Sequence, residues 1–297
     1  MTDADARRPP LAQVILVTGK GGVGKTTVAT GLAATATRRG GGAVLVEFGD
    51  GKSGQRALGR RPDVAHVVVQ PQEAIQRMSA DLFGSKLLAR VVTGNFAMRR
   101  LLSAAPALRE LAQLEWVRRV AEENPARRVV VDMPATGHGV AWLRVPAQLR
   151  DLLRAGPLAE LAARLARELV APGRCSVVIV TLPEQLVLQE TLELCQAMTD
   201  QVGLAPARVV VNRVPEPLPA HTISEAQRIA ARGGAVAEAA TRLIEVVAAR
   251  DQARGHALDA MRSATRELSV TPVVLPDHPV DPTSELVATW LENEAFA

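Results

Sequence analysis

Short runs of Val, Ile and Leu recur along the chain at wide spacing, and most are apolar throughout instead of alternating with polar residues. Such runs are typical of strands buried on both faces of a parallel sheet. The predicted strands are residues 14–18, 43–48, 66–69, 129–132, 176–182, 209–212 and 273–275. Stretches with helical periodicity separate them, for example residues 25–39, 184–198 and 224–268. This alternation predicts an α/β fold with a doubly wound, mostly parallel sheet.

Residues 71–124 interrupt the alternation, because they contain no strand-like run and have helical character throughout. Large apolar residues recur there at near-helical spacing, which predicts an α-helical insertion between two strands. They are Met78, Leu82, Phe83, Leu87, Leu88, Val91, Phe96, Met98, Leu101 and Leu102. Two interpretations stay open: the core of a small subdomain, or an apolar groove for a hydrophobic protein client. Since no linker divides the chain, we expect residues 1–297 to form one domain that carries this insertion.

Composition narrows the class of protein. Hydrophobic residues make up 47% and charged residues 22% of the chain, as in packed globular proteins. No apolar run reaches the roughly 18 residues that cross a bilayer, and residues 1–10 lack a signal-peptide core, so we expect a cytoplasmic protein. The net charge is only +4, with arginines scattered among acidic residues, which argues against nucleic acid as a partner. Cys175 and Cys195 lie too far apart for a metal or redox motif.

A glycine-rich loop directly follows the first predicted strand and precedes a predicted helix. Its sequence is Gly19-Lys20-Gly21-Gly22-Val23-Gly24-Lys25-Thr26-Thr27, which has the spacing of a Walker A loop. Backbone N–H groups in such a loop and at the helix N-terminus bind phosphate. We expect Lys25 to reach the β- and γ-phosphates and the Thr26 hydroxyl to ligate magnesium. The predicted nucleotide-binding residues are Gly21, Gly22, Val23, Gly24, Lys25, Thr26 and Thr27.

A carboxylate ends the apolar run at residues 129–132. A Walker B strand has such an ending, and Asp132 is therefore predicted to hold a magnesium-bound water. Together with the loop, this residue predicts ATP and Mg²⁺ as the ligands of the site.

The segment from Lys20 to Thr27 resembles the deviant Walker A ATPases, which include MinD, ParA, the nitrogenase iron protein and the arsenite-pump/tail-anchored-protein targeting ATPases. In that group the additional lysine reaches across a dimer interface to the partner's phosphates. The resemblance implies that Lys20 acts in trans in catalysis. It also implies nucleotide-dependent pairing, either as a homodimer or as a heterodimer with a paralogous ATPase.

Residues 132–138, Asp-Met-Pro-Ala-Thr-Gly-His, resemble the switch II segment of the arsenite-pump/tail-anchored targeting branch, with the proline displaced by one position. The Pro183-Glu184 segment and the helix after it resemble the same branch. Residues 209–214 resemble its strand whose asparagine contacts adenine, which implies that role for Asn212. The resemblance implies an ATPase that couples hydrolysis to capture and release of a protein partner, including a membrane protein. Membrane association would then occur only through a partner.

The segment after the second predicted strand departs from the family pattern, which places an Asp-Pro-Ala there to polarise the attacking water. Asp50 is the candidate for this role, Glu47 is close enough to substitute, and Gly49 aligns without a gap. The interface zinc cysteines and the arsenite-binding cysteines are absent from the sequence. Two alternatives therefore stay open: a catalytically weak nucleotide-binding subunit that regulates an active paralogue, or a ParA/MinD-like positioning ATPase.

Overall fold

The computed structural model describes residues 10–82, 106–134, 139–153, 155–216, 219–267, 270 and 272–293. In this part of the chain seven strands form one sheet, and every strand pair is parallel. The strands are β1 (Val14–Thr18), β2 (Gly42–Phe48), β3 (Val64–Val69), β4 (Arg127–Asp132), β5 (Cys175–Thr181), β6 (Arg208–Val214) and β7 (Pro272–Pro276). Their spatial order is β3-β2-β4-β1-β5-β6-β7. This architecture confirms the predicted doubly wound α/β fold.

Helices connect the strands and cover both faces of the sheet. The described helices are α1 (Lys25–Arg38), α2 (Lys52–Leu58), α3 (Pro71–Leu82), α4 (Pro106–Glu123), α5 (Gly139–Leu152), α6 (Pro157–Glu168), α7 (Gln185–Ala197), α8 (Ala220–Ala230), α9 (Ala235–Glu267) and α10 (Ser284–Asn293). A π-helical turn, Met198–Val202, continues α7. The prediction of one helix over residues 224–268 is wrong. Gly233 and Gly234, with φ of 77° and 87°, form a turn that separates α8 from α9.

Two apolar clusters flank the sheet, since side chains of successive strand residues point to opposite faces. Leu16 and Val131 belong to the cluster beneath α4, α5 and α6, whereas Ile15 and Val130 belong to the cluster beneath α1 and α10. In α1, a Cβ added at Gly31 would lie 2.3 Å from Val287 of α10, so glycine permits this close packing. Because both faces are covered, the loops at the carboxyl ends of the strands are where a ligand can bind.

Along the chain, the helices α3 and α4 follow β3 and precede β4, and they pack against each other. Arg119 of α4 forms an ion pair with Asp81 of α3 at 2.7 Å, and Arg77 of α3 stacks 5.0 Å from the ring centre of Trp116. Helical structure was predicted for both segments. Phe83, Leu87, Leu88, Val91, Phe96, Met98, Leu101 and Leu102, which carry most of the groove hypothesis, lie outside the described residues. Among the helices that are described, none has both the length and the apolar character needed to cross a bilayer.

Candidate nucleotide-binding site

The glycine-rich loop leaves the carboxyl end of β1 and enters α1 through backbone conformations that favour glycine. Gly19 has φ of 146°, and a Cβ added there would lie 2.2 Å from the carbonyl oxygen of Val180. Gly24, directly before α1, has φ of 93°, and a Cβ there would lie 2.2 Å from Asn212 Nδ2. The loop therefore packs closely on β5 and β6, and it presents the unpaired N–H groups of the first turn of α1 to a ligand.

Lys25 is a buried cation at the start of α1, with only 6% of its surface exposed. Its Nζ donates a hydrogen bond to the backbone oxygen of Lys20 at 2.9 Å. Burial lowers the pKa of this ammonium group, and the negative charge of Asp132 opposes that shift. A buried ammonium group that binds a neutral carbonyl would gain free energy from an anion, since an ionised acceptor makes the stronger hydrogen bond. The predicted phosphate contact of Lys25 has this physical basis.

Thr26 and Asp132 meet beside this lysine. The Thr26 hydroxyl donates to Asp132 Oδ2 at 2.5 Å, while the buried Oδ1 has no hydrogen-bond partner among the described residues. Burial raises the pKa of Asp132 to about 6, and nearby Glu47 adds to this increase, whereas the Thr26 hydrogen bond and Lys25 oppose it. An unpartnered carboxylate oxygen next to a hydroxyl fits Mg²⁺, which prefers such oxygen ligands and would stabilise the ionised carboxylate.

A second carboxylate lies on the strand next to β4. Glu47 of β2 is the register partner of Asp132 and is 6% exposed. Its Oε2 accepts the backbone N–H of Gly54 at 2.9 Å and lies 3.0 Å from His66 Nε2. Neither Gly54 nor His66 was predicted: Gly54 reaches Glu47 through the turn from β2 into α2, and His66 reaches it through the parallel pairing of β2 with β3. The structure thus holds Glu47 in a defined position beside the predicted magnesium ligand.

Asp50 has a different environment. Its side chain is 63% exposed and lies at the start of α2, where Oδ1 accepts the Lys52 N–H at 3.1 Å. Its Oδ2 lies 3.3 Å from Lys52 Nζ. Hydrogen bonds from the Lys52 backbone and side chain lower the pKa of Asp50. Asp50 therefore stays ionised, but its carboxylate is paired with Lys52.

The side chain of Lys20 pairs with a glutamate of α7. Its Nζ lies 2.7 Å from Glu190 Oε2 and 2.9 Å from Oε1. Half of the Lys20 side chain is exposed. This contact could not be predicted from the sequence, since 170 residues separate Glu190 from Lys20.

Asn212, at the carboxyl end of β6, is buried against the loop. Its Nδ2 donates to the backbone oxygen of Val23 at 2.9 Å. The next residue, Arg213, has φ of 55° and lines a cavity of about 350 Å³ with Pro183 and Arg254. The structure thus places Asn212 against the loop, and its contact with adenine stays a prediction.

Comparisons with known proteins agree with this geometry. The model of the CobQ/CobB/MinD/ParA nucleotide-binding domain matches residues 14–254. The ATPase BagA of Mycobacterium tuberculosis is 29% identical over 228 residues, which cover 69% of this chain and 65% of that protein. An uncharacterized protein of Streptomyces coelicolor is 31% identical over 70% of this chain and 55% of its own length. A Halobacterium salinarum protein named as an arsenical pump-driving ATPase is 25% identical over 71% of this chain and 38% of its own length. This chain therefore aligns with less than two thirds of the length of each of these relatives.

Proposed function

Because this chain belongs to the family of CobQ/CobB/MinD/ParA nucleotide-binding domains, we propose that it is a magnesium-dependent ATPase that works as a dimeric switch. ATP would close two subunits on each other, and hydrolysis would open them. The observation that carries the proposal is the group of Lys25, Thr26 and Asp132, in which the lysine and the aspartate are buried. It combines a cation without an anionic hydrogen-bond acceptor among the described residues with an unpartnered carboxylate oxygen.

Each residue of this group has a task in the proposed reaction. Lys25 exchanges the backbone oxygen of Lys20 for phosphate oxygens of ATP, and the N–H groups at the start of α1 bind the remaining phosphate charge. Thr26 and Asp132 hold Mg²⁺, which neutralises charge on the phosphoryl oxygens when it is bound. Glu47 or Asp50 orients the attacking water. The geometry favours Glu47, because it is buried beside Asp132 whereas Asp50 is exposed and paired with Lys52.

The assignment to the deviant Walker A group, and with it the dimer, is part of the proposal. Its support is the resemblance of the loop and the position of Lys20, whose side chain is half exposed and whose ammonium group pairs with Glu190 of α7 and not with its own loop. A surface cation in that position is available to a second subunit, whether another copy or a paralogue. The arsenical pump-driving ATPase of Halobacterium salinarum supports the same branch by its similarity.

The proposed switch also includes a protein client, and hydrophobic and membrane proteins are the candidates for it. The resemblance to the arsenite-pump/tail-anchored targeting ATPases supports it, and residues 71–124 are the proposed contact region. A cytoplasmic location belongs to the same proposal.

The second candidate is a nucleotide-binding regulatory subunit with little turnover of its own. The ion pair between Asp50 and Lys52 favours it, since this carboxylate is occupied by a cation. A ParA/MinD-like positioning ATPase has the support of the family match alone.

Two measurements on the purified chain test the proposal. Isothermal titration with a slowly hydrolysed ATP analogue should show binding that Mg²⁺ strengthens and that Lys25→Ala abolishes. Phosphate release should then occur with the chain alone. Binding without measurable phosphate release would favour the regulatory subunit, and the absence of magnesium-dependent binding would contradict both candidates.

A further inference from the structure

Glu190 of α7 is the anionic partner of Lys20. Both carboxylate oxygens lie within 2.9 Å of the ammonium nitrogen, and both side chains are partly exposed, at 50% for Lys20 and 43% for Glu190. Exposed ion pairs contribute little to folding stability. This pair does, however, join two separate parts of the fold. It connects the nucleotide loop, which follows β1, to α7, which follows β5.

The structure holds Glu190 close to the loop through the residue that follows it. The Thr191 hydroxyl is buried and forms a hydrogen bond of 2.8 Å with the hydroxyl of Thr181, at the carboxyl end of β5. The same strand packs against the loop at Gly19, where an added Cβ would lie 2.2 Å from Val180 O. Strand β5 therefore positions the loop and α7 relative to each other, and Glu190 is not a freely placed surface carboxylate.

Lys20 makes two contacts that the binding of phosphate would break. Its backbone oxygen accepts the hydrogen bond from Lys25 Nζ, and its side chain binds Glu190. When Lys25 moves to a phosphate of the bound nucleotide, the first contact is lost within the same subunit. The second contact stays until another anion competes for the ammonium group.

From this arrangement we infer that Glu190 holds Lys20 within its own subunit and sets the nucleotide-dependent threshold for pairing with a second copy of this chain. The inference rests on the proposed function, in which Lys20 binds phosphate of the partner's nucleotide. Closing a homodimer must release two such pairs, one in each subunit. The contact is thus an autoinhibitory one, which the nucleotide-loaded partner removes.

Glu190→Gln tests the inference, because it keeps the shape of the side chain and removes its charge. Glu193→Gln is the matched control, since Glu193 is an exposed residue of the same helix and its substitution changes the net charge equally. Sedimentation velocity with magnesium and a slowly hydrolysed ATP analogue gives the dimer Kd. Loss of an exposed ion pair changes an equilibrium constant by up to about fivefold in each subunit. Glu190→Gln should therefore lower the dimer Kd by about threefold to twenty-fivefold, while Glu193→Gln leaves it near the wild-type value.

A second measurement follows the contact without any dimer. In a short pulse of an amine-acetylating reagent on the nucleotide-free protein, Lys20 should react up to about fivefold faster in Glu190→Gln than in wild type. Lys52 serves as the internal reference. Unchanged Lys20 reactivity, or a weaker dimer in Glu190→Gln, would overturn the inference. If neither protein dimerises while Lys20 reactivity rises in Glu190→Gln, the proposed dimeric switch is contradicted, and so is the inferred threshold for pairing. The contact between Lys20 and Glu190 would still be established.

Discussion

Replacing Asp132 with Asn should make the nucleotide-free protein more stable and its nucleotide binding less dependent on magnesium. Burial raises the pKa of Asp132 from 3.8 to about 6. A shift of roughly two units corresponds to about 3 kcal/mol of unfavourable free energy for the ionised carboxylate at pH 7 and above. The Asn amide forms a weaker bond with Thr26 and leaves a polar group unpaired, which together cost about 1–2 kcal/mol. We therefore expect Asp132→Asn to raise the free energy of unfolding by about 1–2 kcal/mol.

The expected change in melting temperature follows from the length of the chain. An unfolding entropy of about 2.1 cal/mol/K per residue gives about 0.6 kcal/mol/K for 297 residues. The gain is then about 2–3 °C in Tm, measured by circular dichroism in EDTA at pH 7.5. Asp151→Asn, at a position where the side chain is 66% exposed, is the control and should not change Tm.

The pH dependence of this gain has a definite sign. The folded-state pKa lies above the unfolded value, so protonation of Asp132 stabilises the wild type fully below about pH 4. This contribution is lost as the pH rises through about 6. The advantage of Asp132→Asn should therefore be largest at pH 7.5 and shrink between pH 6 and pH 4. An equal or lower Tm at pH 7.5, or magnesium enhancement of ATP-analogue binding as strong as in wild type, would refute the reasoning.

Four further substitutions test other parts of the site. Lys25→Ala should weaken ATP binding about a hundredfold or more, because each charged hydrogen bond contributes about 1.5–3 kcal/mol, and unchanged affinity by calorimetry would contradict its phosphate role. Gly24→Ala should disrupt the loop and lower both ATP affinity and Tm, because the new Cβ would lie 2.2 Å from Asn212 Nδ2 at a φ of 93°. Glu47→Gln should reduce phosphate release about a hundredfold or more and Asp50→Asn less than about tenfold, with ATP affinity retained in both. The opposite ranking would identify Asp50 as the residue that orients water.

Local features of the sequence predicted the strands to within two residues. Parallel strands buried on both faces need apolar residues at every position, and this pattern is visible without a structure. The predicted start at residue 129 misses Arg127 and Arg128, because the first two positions of β4 are exposed and half-buried at the amino end of the strand and tolerate charge. The turn between α8 and α9 was missed although its signal was present, since adjacent glycines are typical of a helix end.

Contacts between distant elements could not be predicted from the sequence. His66 reaches Glu47 only because β2 pairs with β3 in one particular register, and Glu190 reaches Lys20 only because α7 packs beside the loop. Strand order and register result from the packing of the whole sheet, so a motif cannot show them. The motif predicts which residues bind phosphate, and the packing determines what those residues contact in the nucleotide-free protein.

The electrostatics of the site explain why ATP and magnesium should bind together. Burial disfavours the charged form of both Lys25 and Asp132, and their mutual attraction offsets only part of this cost. A nucleotide alone would satisfy Lys25 but bring negative charge next to the unpartnered oxygen of Asp132. Magnesium alone would satisfy Asp132 but place a second cation close to Lys25. The complex of both supplies an anion to the lysine and a cation to the carboxylate, so the apo geometry itself favours the magnesium-bound nucleotide over either component.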